Sequence, residues 1–172
     1  MATINSLHVD VQGLLTEAKR DGAMAVSRKI SEAALQHALG NSRVAFTVLE
    51  AIESSGSGFI AAMMVPYRGV VDGKAKRIAA KVILRAALNS YLEEGRGWGR
   101  SHPAFADSRN ALLNRDYEPM AERLRQKLER DARAVDAEPR KPIWERHPVG
   151  ISISAVGLLL AAISIVVSIS RH

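Results

Sequence analysis

The chain has 172 residues, a net charge of +6 at neutral pH and no cysteine. The absence of thiols excludes disulfide bonds, thiolate metal sites and cysteine nucleophiles. The residues before position 137 are enough for one domain with its own hydrophobic core, and the N-terminal residues lack the pattern of a secretory signal.

The first part of the chain predicts helices that are separated by a glycine-containing turn. Apolar residues recur at helical spacing over 5–20, 23–39 and 43–53. Asp21 and Gly22 form a pair that is typical of turns, so we expect the first two helices to be separate.

The sequence SSGSG, residues 54–58, predicts a flexible break in the chain. The apolar run 59–65 follows it and is too short to span a membrane. Two interpretations of this run stay open. It is either a buried core helix that ends at Pro66 or a segment that inserts shallowly into lipid or becomes exposed on activation.

Residues 74–94 predict the most regular helix of the domain, rich in alanine and with a broad apolar surface. Basic residues recur along it at steps of three and four positions. They form one stripe of Lys74, Arg77, Lys81 and Arg85. One interpretation is a solvated helix face. The other is a site that contacts anionic lipid head groups, phosphates or an acidic partner.

The sequence GRGWGRSHP, residues 95–103, predicts a loop. Its glycines would let the backbone approach a ligand, its arginines are suited to an anion, and its tryptophan is suited to stacking. The candidate ligand residues are Arg96, Trp98, Arg100 and His102. The spacing matches no phosphate-binding or dinucleotide-binding motif, so an irregular loop with a packed tryptophan is the alternative.

Two more helices are expected, over 105–114 and 118–135, with Pro119 in the first turn of the second. Residues 137–148 contain prolines and lack a helical pattern, which predicts a juxtamembrane linker. Trp144 and Arg146 lie in this linker close to the next apolar run. An indole and a cation at that place favour the lipid head-group layer.

The 22 residues 149–170 carry no charge. As a helix they would extend about 33 Å, enough to cross a hydrocarbon core of about 30 Å. We therefore expect a transmembrane helix of the tail-anchor type, followed by a short external tail, 171–172. Basic residues favour the cytoplasmic side. Those before the span are Lys127, Arg130, Arg133, Arg140, Lys141 and Arg146, against Arg171 after it. Residues 1–136 are thus expected to be a cytoplasmic domain, with the C-terminus outside.

Small residues recur through the expected span at alternating steps of four and three positions. They are Gly150, Ser154, Gly157, Ala161, Ser164 and Ser168. Such a stripe lets two helix backbones approach closely, and serine hydroxyls can hydrogen-bond across the contact. We expect this helix to associate with its own copy or with a helix of another membrane protein.

These features predict an all-α fold, an irregular bundle of about five or six helices plus one transmembrane helix. The favoured function is a single-pass membrane protein whose domain receives a signal or partner and whose transmembrane helix self-associates. An oligomeric membrane-permeabilising effector is its more specific form. The alternative is an accessory or tethering subunit of a larger membrane protein complex.

Other function classes have little support in the residues. The histidines are scattered and the common catalytic motifs are missing, so the sequence indicates no enzyme, no metal site and no cofactor. Aromatic residues are few, which disfavours nucleic acid as the partner. The lipid bilayer is the partner that the sequence indicates first.

Overall fold

The computed structural model describes residues 3–35, 43–70, 73–100 and 107–138, with 99, 100 and 107–114 described as backbone only. These residues form four long helices. They are α1 (Ile4–Leu35), α2 (Arg43–Val70), α3 (Lys74–Arg100) and α4 (Asp107–Ala137). Strands are absent from these ranges, and the predicted all-α fold is confirmed.

The helices form a bundle in which α2 and α3 are central. Each of these two contacts the three other helices, whereas α1 and α4 do not contact each other within the described ranges. Glu53 pairs with Arg123 and Tyr67 with Asp136, so α2 and α4 run in the same direction. Lys81, early in α3, also meets Asp136 at the end of α4, because α3 runs antiparallel to both.

The core of the bundle is apolar and draws side chains from all four helices. Its fully buried members include Leu7, Ile30, Ile60, Leu84 and Leu124. Apart from tyrosines, no residue with a polar or charged side chain is buried within the described part of the chain. The chain divides into a compact unit of residues 1–137 and a second unit of residues 138–172. The described core residues, from Leu7 to Val135, all belong to the first unit.

Helix number is the main difference from the sequence-based expectation. Where five or six shorter helices were predicted, the described residues form four long ones. The expected turn at Asp21 and Gly22 lies inside α1, and the expected break at 54–58 lies inside α2. The expected loop at 95–103 is helical as far as Arg100. In the same way, the two helices expected over 105–114 and 118–135 are parts of one helix, α4, which begins at Asp107. The predicted transmembrane helix lies outside the described residues.

Glycines explain why two of the expected breaks are wrong. A Cβ atom at Gly22 would lie 2.4 Å from the Trp98 ring. One at Gly56 would lie 2.8 Å from Cδ1 of Leu124 and 3.1 Å from Cε1 of Tyr91. Both glycines are buried where a large side chain of another helix presses on their own helix. They allow helices to approach closely, and packing there outweighs the low helix propensity of glycine.

Prolines also lie inside helices instead of ending or starting them. Pro66 was expected to end its helix, but α2 continues to Val70. Pro119 was expected in a first turn, but α4 begins earlier. A proline inside a helix removes one backbone hydrogen bond and costs about 3 kcal/mol. Next to Pro66 the buried side chains of Met63 and Tyr67 hold the helix against the core, which offsets this cost.

Helix α2 is the one described helix with the length and apolar composition of a membrane span. Its apolar side chains pack against the other three helices, and Phe59, Ile60, Met63 and Met64 are all buried. This placement agrees with the core interpretation of the run 59–65. A core helix can resemble a span in composition because it also carries many apolar side chains, although Ala61 and Val65 of this run are exposed.

Candidate functional site

The predicted basic stripe lies along the side of α3 that faces α4. Arg77 and Lys81 are only 22% and 23% exposed. Nζ of Lys81 lies 2.7 Å from Oδ2 of Asp136, and Nε of Arg77 lies 3.8 Å from Oδ1 of the same carboxylate. Two of the four stripe cations thus face one acidic residue that the sequence-based prediction did not include.

Three side chains from α2 and α3 meet this carboxylate of α4, and we refer to Tyr67, Arg77, Lys81 and Asp136 as the Asp136 cluster. The Tyr67 hydroxyl donates a hydrogen bond of 3.0 Å to Oδ1 of Asp136. Nε of Arg77 is buried and has no hydrogen-bond partner among the described residues. Two cations share one anion, so the cluster keeps a net positive charge.

Electrostatics keep the Asp136 carboxylate ionised. Partial burial acts to raise its pKa, but hydrogen bonds from Lys81 and Tyr67 and the charges of Lys81 and Arg77 outweigh burial. The net effect is a pKa below the ordinary aspartate value. At neutral pH the carboxylate is therefore a fixed link between the ends of α2, α3 and α4.

The third stripe residue, Arg85, also pairs with α4. Its Nε lies 2.6 Å from Oε1 of Glu129, and this hydrogen bond is the main reason that the pKa of Glu129 is lowered. Lys74, the fourth residue, is exposed at the first turn of α3. Three of the four cations therefore join α3 to α4, while contact of the stripe with lipid or another anion stays a prediction.

A second surface of α3 was not singled out by the sequence-based prediction. Ile78 and Val82 are each 58% exposed. Exposed alanines continue the same line along the helix, and we define the outer face of α3 as Ala75, Ile78, Ala79, Val82 and Ala86. The spacing of three and four positions is visible in the sequence as part of the broad apolar surface of this helix. Periodicity alone does not tell which apolar line of such a surface faces inward.

The structure places the predicted ligand residues on different sides of α3. The Arg96 guanidinium lies 5.8 Å from the centre of the Tyr117 ring, on the side of α4. Trp98 packs edge-on against Tyr91, with ring centres 5.4 Å apart, and covers Gly22 of α1. These contacts agree with a packed tryptophan. The side chain of Arg100 and all of His102 lie outside the described residues.

Open grooves lie between neighbouring helices of the bundle, and two of them are lined by charged side chains. One of about 330 Å³ lies between α3 and α4 beside Arg96 and Tyr117. Another of about 570 Å³ lies between α1 and α2 and is lined by both signs of charge, including Asp21, Arg28 and Glu50. Within the described ranges, no group of three side chains suited to a metal ion occurs.

The three tyrosines of the chain are structural residues that the sequence reasoning missed. Each is buried and donates its hydroxyl hydrogen to another helix. The Tyr91 hydroxyl donates a hydrogen bond of 3.0 Å to the carbonyl oxygen of Ile52, and the Tyr117 hydroxyl donates one to the carbonyl oxygen of Leu92. Burial raises the pKa of Tyr91 to about 12, so its proton stays in place near neutral pH. These bonds tie α2, α3 and α4 together.

The remaining predicted residues lie outside the described part of the chain. They comprise the interface pair Trp144 and Arg146 and the whole small-residue stripe of 149–170. Their roles stay predictions. No family model, no curated protein and no solved structure matches the chain, so its function has to be inferred from its own residues.

Proposed function

We propose that this chain is a single-pass membrane protein whose helical domain lies in the cytoplasm and whose segment 149–170 crosses the bilayer and self-associates. The observation that carries the proposal is the segment itself. Its 22 residues have no charge, and one small residue recurs at every third or fourth position. Length and composition fit a span, and the small-residue stripe fits a contact between helices.

The apolar core of the domain supports this division of the chain. Residues 1–137 form one compact unit, and every described residue of the core belongs to that unit. An uncharged segment as long as 149–170 is stable only in an apolar environment. A bilayer supplies it, and Trp144 and Arg146 suit its head-group layer.

The stripe gives the proposed span a reason to associate. Leucine and isoleucine gain little by leaving lipid for a second helix, because lipid tails are equally apolar. Small residues allow closer backbone packing, and hydroxyls that would otherwise lack a partner can bond across the contact. The stripe contains Ser154, Ser164 and Ser168. In an assembly of several copies these hydroxyls would line the inner surface, which is the form in which the protein permeabilises the membrane.

One substitution pair tests the contact. Ala161 lies on the stripe and its neighbour Ala162 lies off it, so Ala161→Leu and Ala162→Leu add the same volume to two faces of one helix. We expect Ala161→Leu to abolish crosslinking between copies in membranes and any dye leakage from vesicles, as Gly157→Leu should. Ala162→Leu should leave both near the level of the natural chain.

Equal crosslinking in the two alanine variants would contradict self-association through the stripe. The accessory-subunit alternative gives a different pattern in the same preparation. In that case the natural chain is a monomer that co-purifies with another membrane protein, and Ala161→Leu releases that protein.

A further inference from the structure

The outer face of α3 is an apolar surface that the described part of the domain leaves uncovered. Ile78 and Val82 are adjacent on the helix and each more than half exposed, although α3 contacts all three other helices through its remaining sides. Exposed alanines lie on both sides of this pair along the same line. The face runs along the N-terminal half of α3.

Positive charge surrounds the start of this face. Lys74 and Lys76 are exposed in the first turn of α3, and Arg77 and Lys81 follow on the side toward α4. Both of these side chains pair with the Asp136 carboxylate. An apolar line with lysines at its edge is the pattern of helices that lie in the interface of an anionic bilayer. Lysine stems can extend along apolar surface while their charges reach head groups.

The domain ends beside this face. Asp136, next to the last residue of α4, contacts Lys81, which lies three positions after Ile78 and is its neighbour on the helix surface. Only the residues from 138 to 148 separate the end of α4 from the uncharged segment. At about 3.5 Å per residue they reach about 40 Å at most. A domain held within that distance of a bilayer meets it at high effective concentration, so weak surface contacts become occupied.

We propose that the outer face of α3 docks on the surface of an anionic bilayer, with Ile78 and Val82 in the interfacial layer and Lys74 and Lys76 on acidic head groups. The inference rests on the proposed anchoring by 149–170. It assigns different roles to the basic residues than the sequence-based stripe did. Arg77 and Lys81 hold the end of α4, whereas Lys74 and Lys76 contact lipid.

Site-directed spin labelling of the full chain in vesicles tests the docking. The chain has no cysteine, so one introduced thiol gives a single label. Val82→Cys places the label on the outer face of α3, and Val65→Cys places it on α2 at a position that is 68% exposed. For each label we compare its collision rate with membrane-soluble oxygen and its collision rate with a water-soluble nickel chelate. The vesicles contain phosphatidylcholine, with or without phosphatidylserine.

With phosphatidylserine present, we expect the label at 82 to collide several-fold more with oxygen than with the nickel chelate, relative to the label at 65. In phosphatidylcholine alone, or after Lys74→Glu with Lys76→Glu, the label at 82 should return to aqueous values. Labels at 65 and 82 that are equally aqueous in anionic vesicles would overturn the docking. Spin–spin broadening at 82 that is independent of lipid charge would also overturn it, because a second copy would then cover the face.

Alkaline carbonate extraction of the same vesicles separates this inference from the proposed function. Protein that stays in the membrane while the label at 82 is aqueous overturns the docking alone. Protein that carbonate removes overturns the anchoring by 149–170, and the docking that rests on it fails as well.

Discussion

Gly56 is the point at which α2 is pressed from two sides. Tyr91 of α3 and Leu124 of α4 both lie within 3.1 Å of where its Cβ atom would be. Both neighbours are buried and have little room to move. Gly58 lies one half-turn further along α2 and has nothing within 4 Å of its Cβ position. Two glycines of the same serine-rich sequence therefore have opposite roles.

Alanine at these two positions should change stability in opposite directions. We expect Gly56→Ala to lower the free energy of unfolding by about 1–3 kcal/mol, because the added methyl group overpacks the contact. Gly58→Ala should raise it by about 0.5–1 kcal/mol, because alanine fits an open helix position and restricts the unfolded chain. Chemical denaturation followed by circular dichroism at 222 nm measures both.

A second pair on α1 provides the control. Gly22 lies under the Trp98 ring, whereas Gly13 is open. Gly13→Ala should therefore raise the free energy of unfolding of the protein, and Gly22→Ala should lower it. If Gly56→Ala and Gly58→Ala were equally neutral, residues 54–58 would be a flexible break and the continuous α2 would be wrong.

At the scale of helices, the Asp136 cluster joins α2, α3 and α4 at the place where the described chain ends. The lowered pKa of Asp136 means that the folded state prefers the ionised carboxylate more than the unfolded state does. The contribution of this carboxylate to the free energy of unfolding is complete above the ordinary aspartate pKa. It is lost as the pH falls through the lower pKa of the folded state.

Asp136→Asn should therefore destabilise the protein at pH 7 by about 1–3 kcal/mol, since it leaves the half-buried Lys81 without its anion. The difference from the natural chain should shrink as the pH is lowered below about 4, where an unfolded aspartate is protonated. Asp131→Asn is the matched control. The ion pairs that the described residues give Asp131 are with Lys127 and Arg130 of its own helix, so this substitution should cost about 0.5 kcal/mol or less. If Asp136→Asn were less stable than the natural chain by the same amount at every pH, the electrostatic link would be contradicted.

Helix periodicity explains what could be predicted at this scale. The all-α class and the alignment of Arg77, Lys81 and Arg85 on one stripe follow from local spacing, since α3 is a regular helix. Their partners Asp136 and Glu129 belong to a helix far along the chain, and no local pattern indicates which acidic residues will meet them. The glycine positions were misread for the same reason, because their neighbours come from other helices.

At the scale of the whole molecule, the proposals connect one described domain to one uncharged segment. The span depends only on the composition of 149–170, so sequence is sufficient to propose it. The outer face of α3 required the fold, because exposure of Ile78 and Val82 depends on where the other helices pack. Together the two proposals predict contact with lipid at two levels. Residues 149–170 contact it within the bilayer, and the outer face of α3 contacts it at the surface.

The state of assembly tests the central claim most directly. We would measure sedimentation velocity of the full chain in detergent micelles, beside a chain that ends at residue 138. We predict an oligomer for the full chain and a water-soluble, helical monomer for the shortened one. A full chain that stays monomeric in micelles, or two chains that assemble alike, would contradict self-association through residues 149–170.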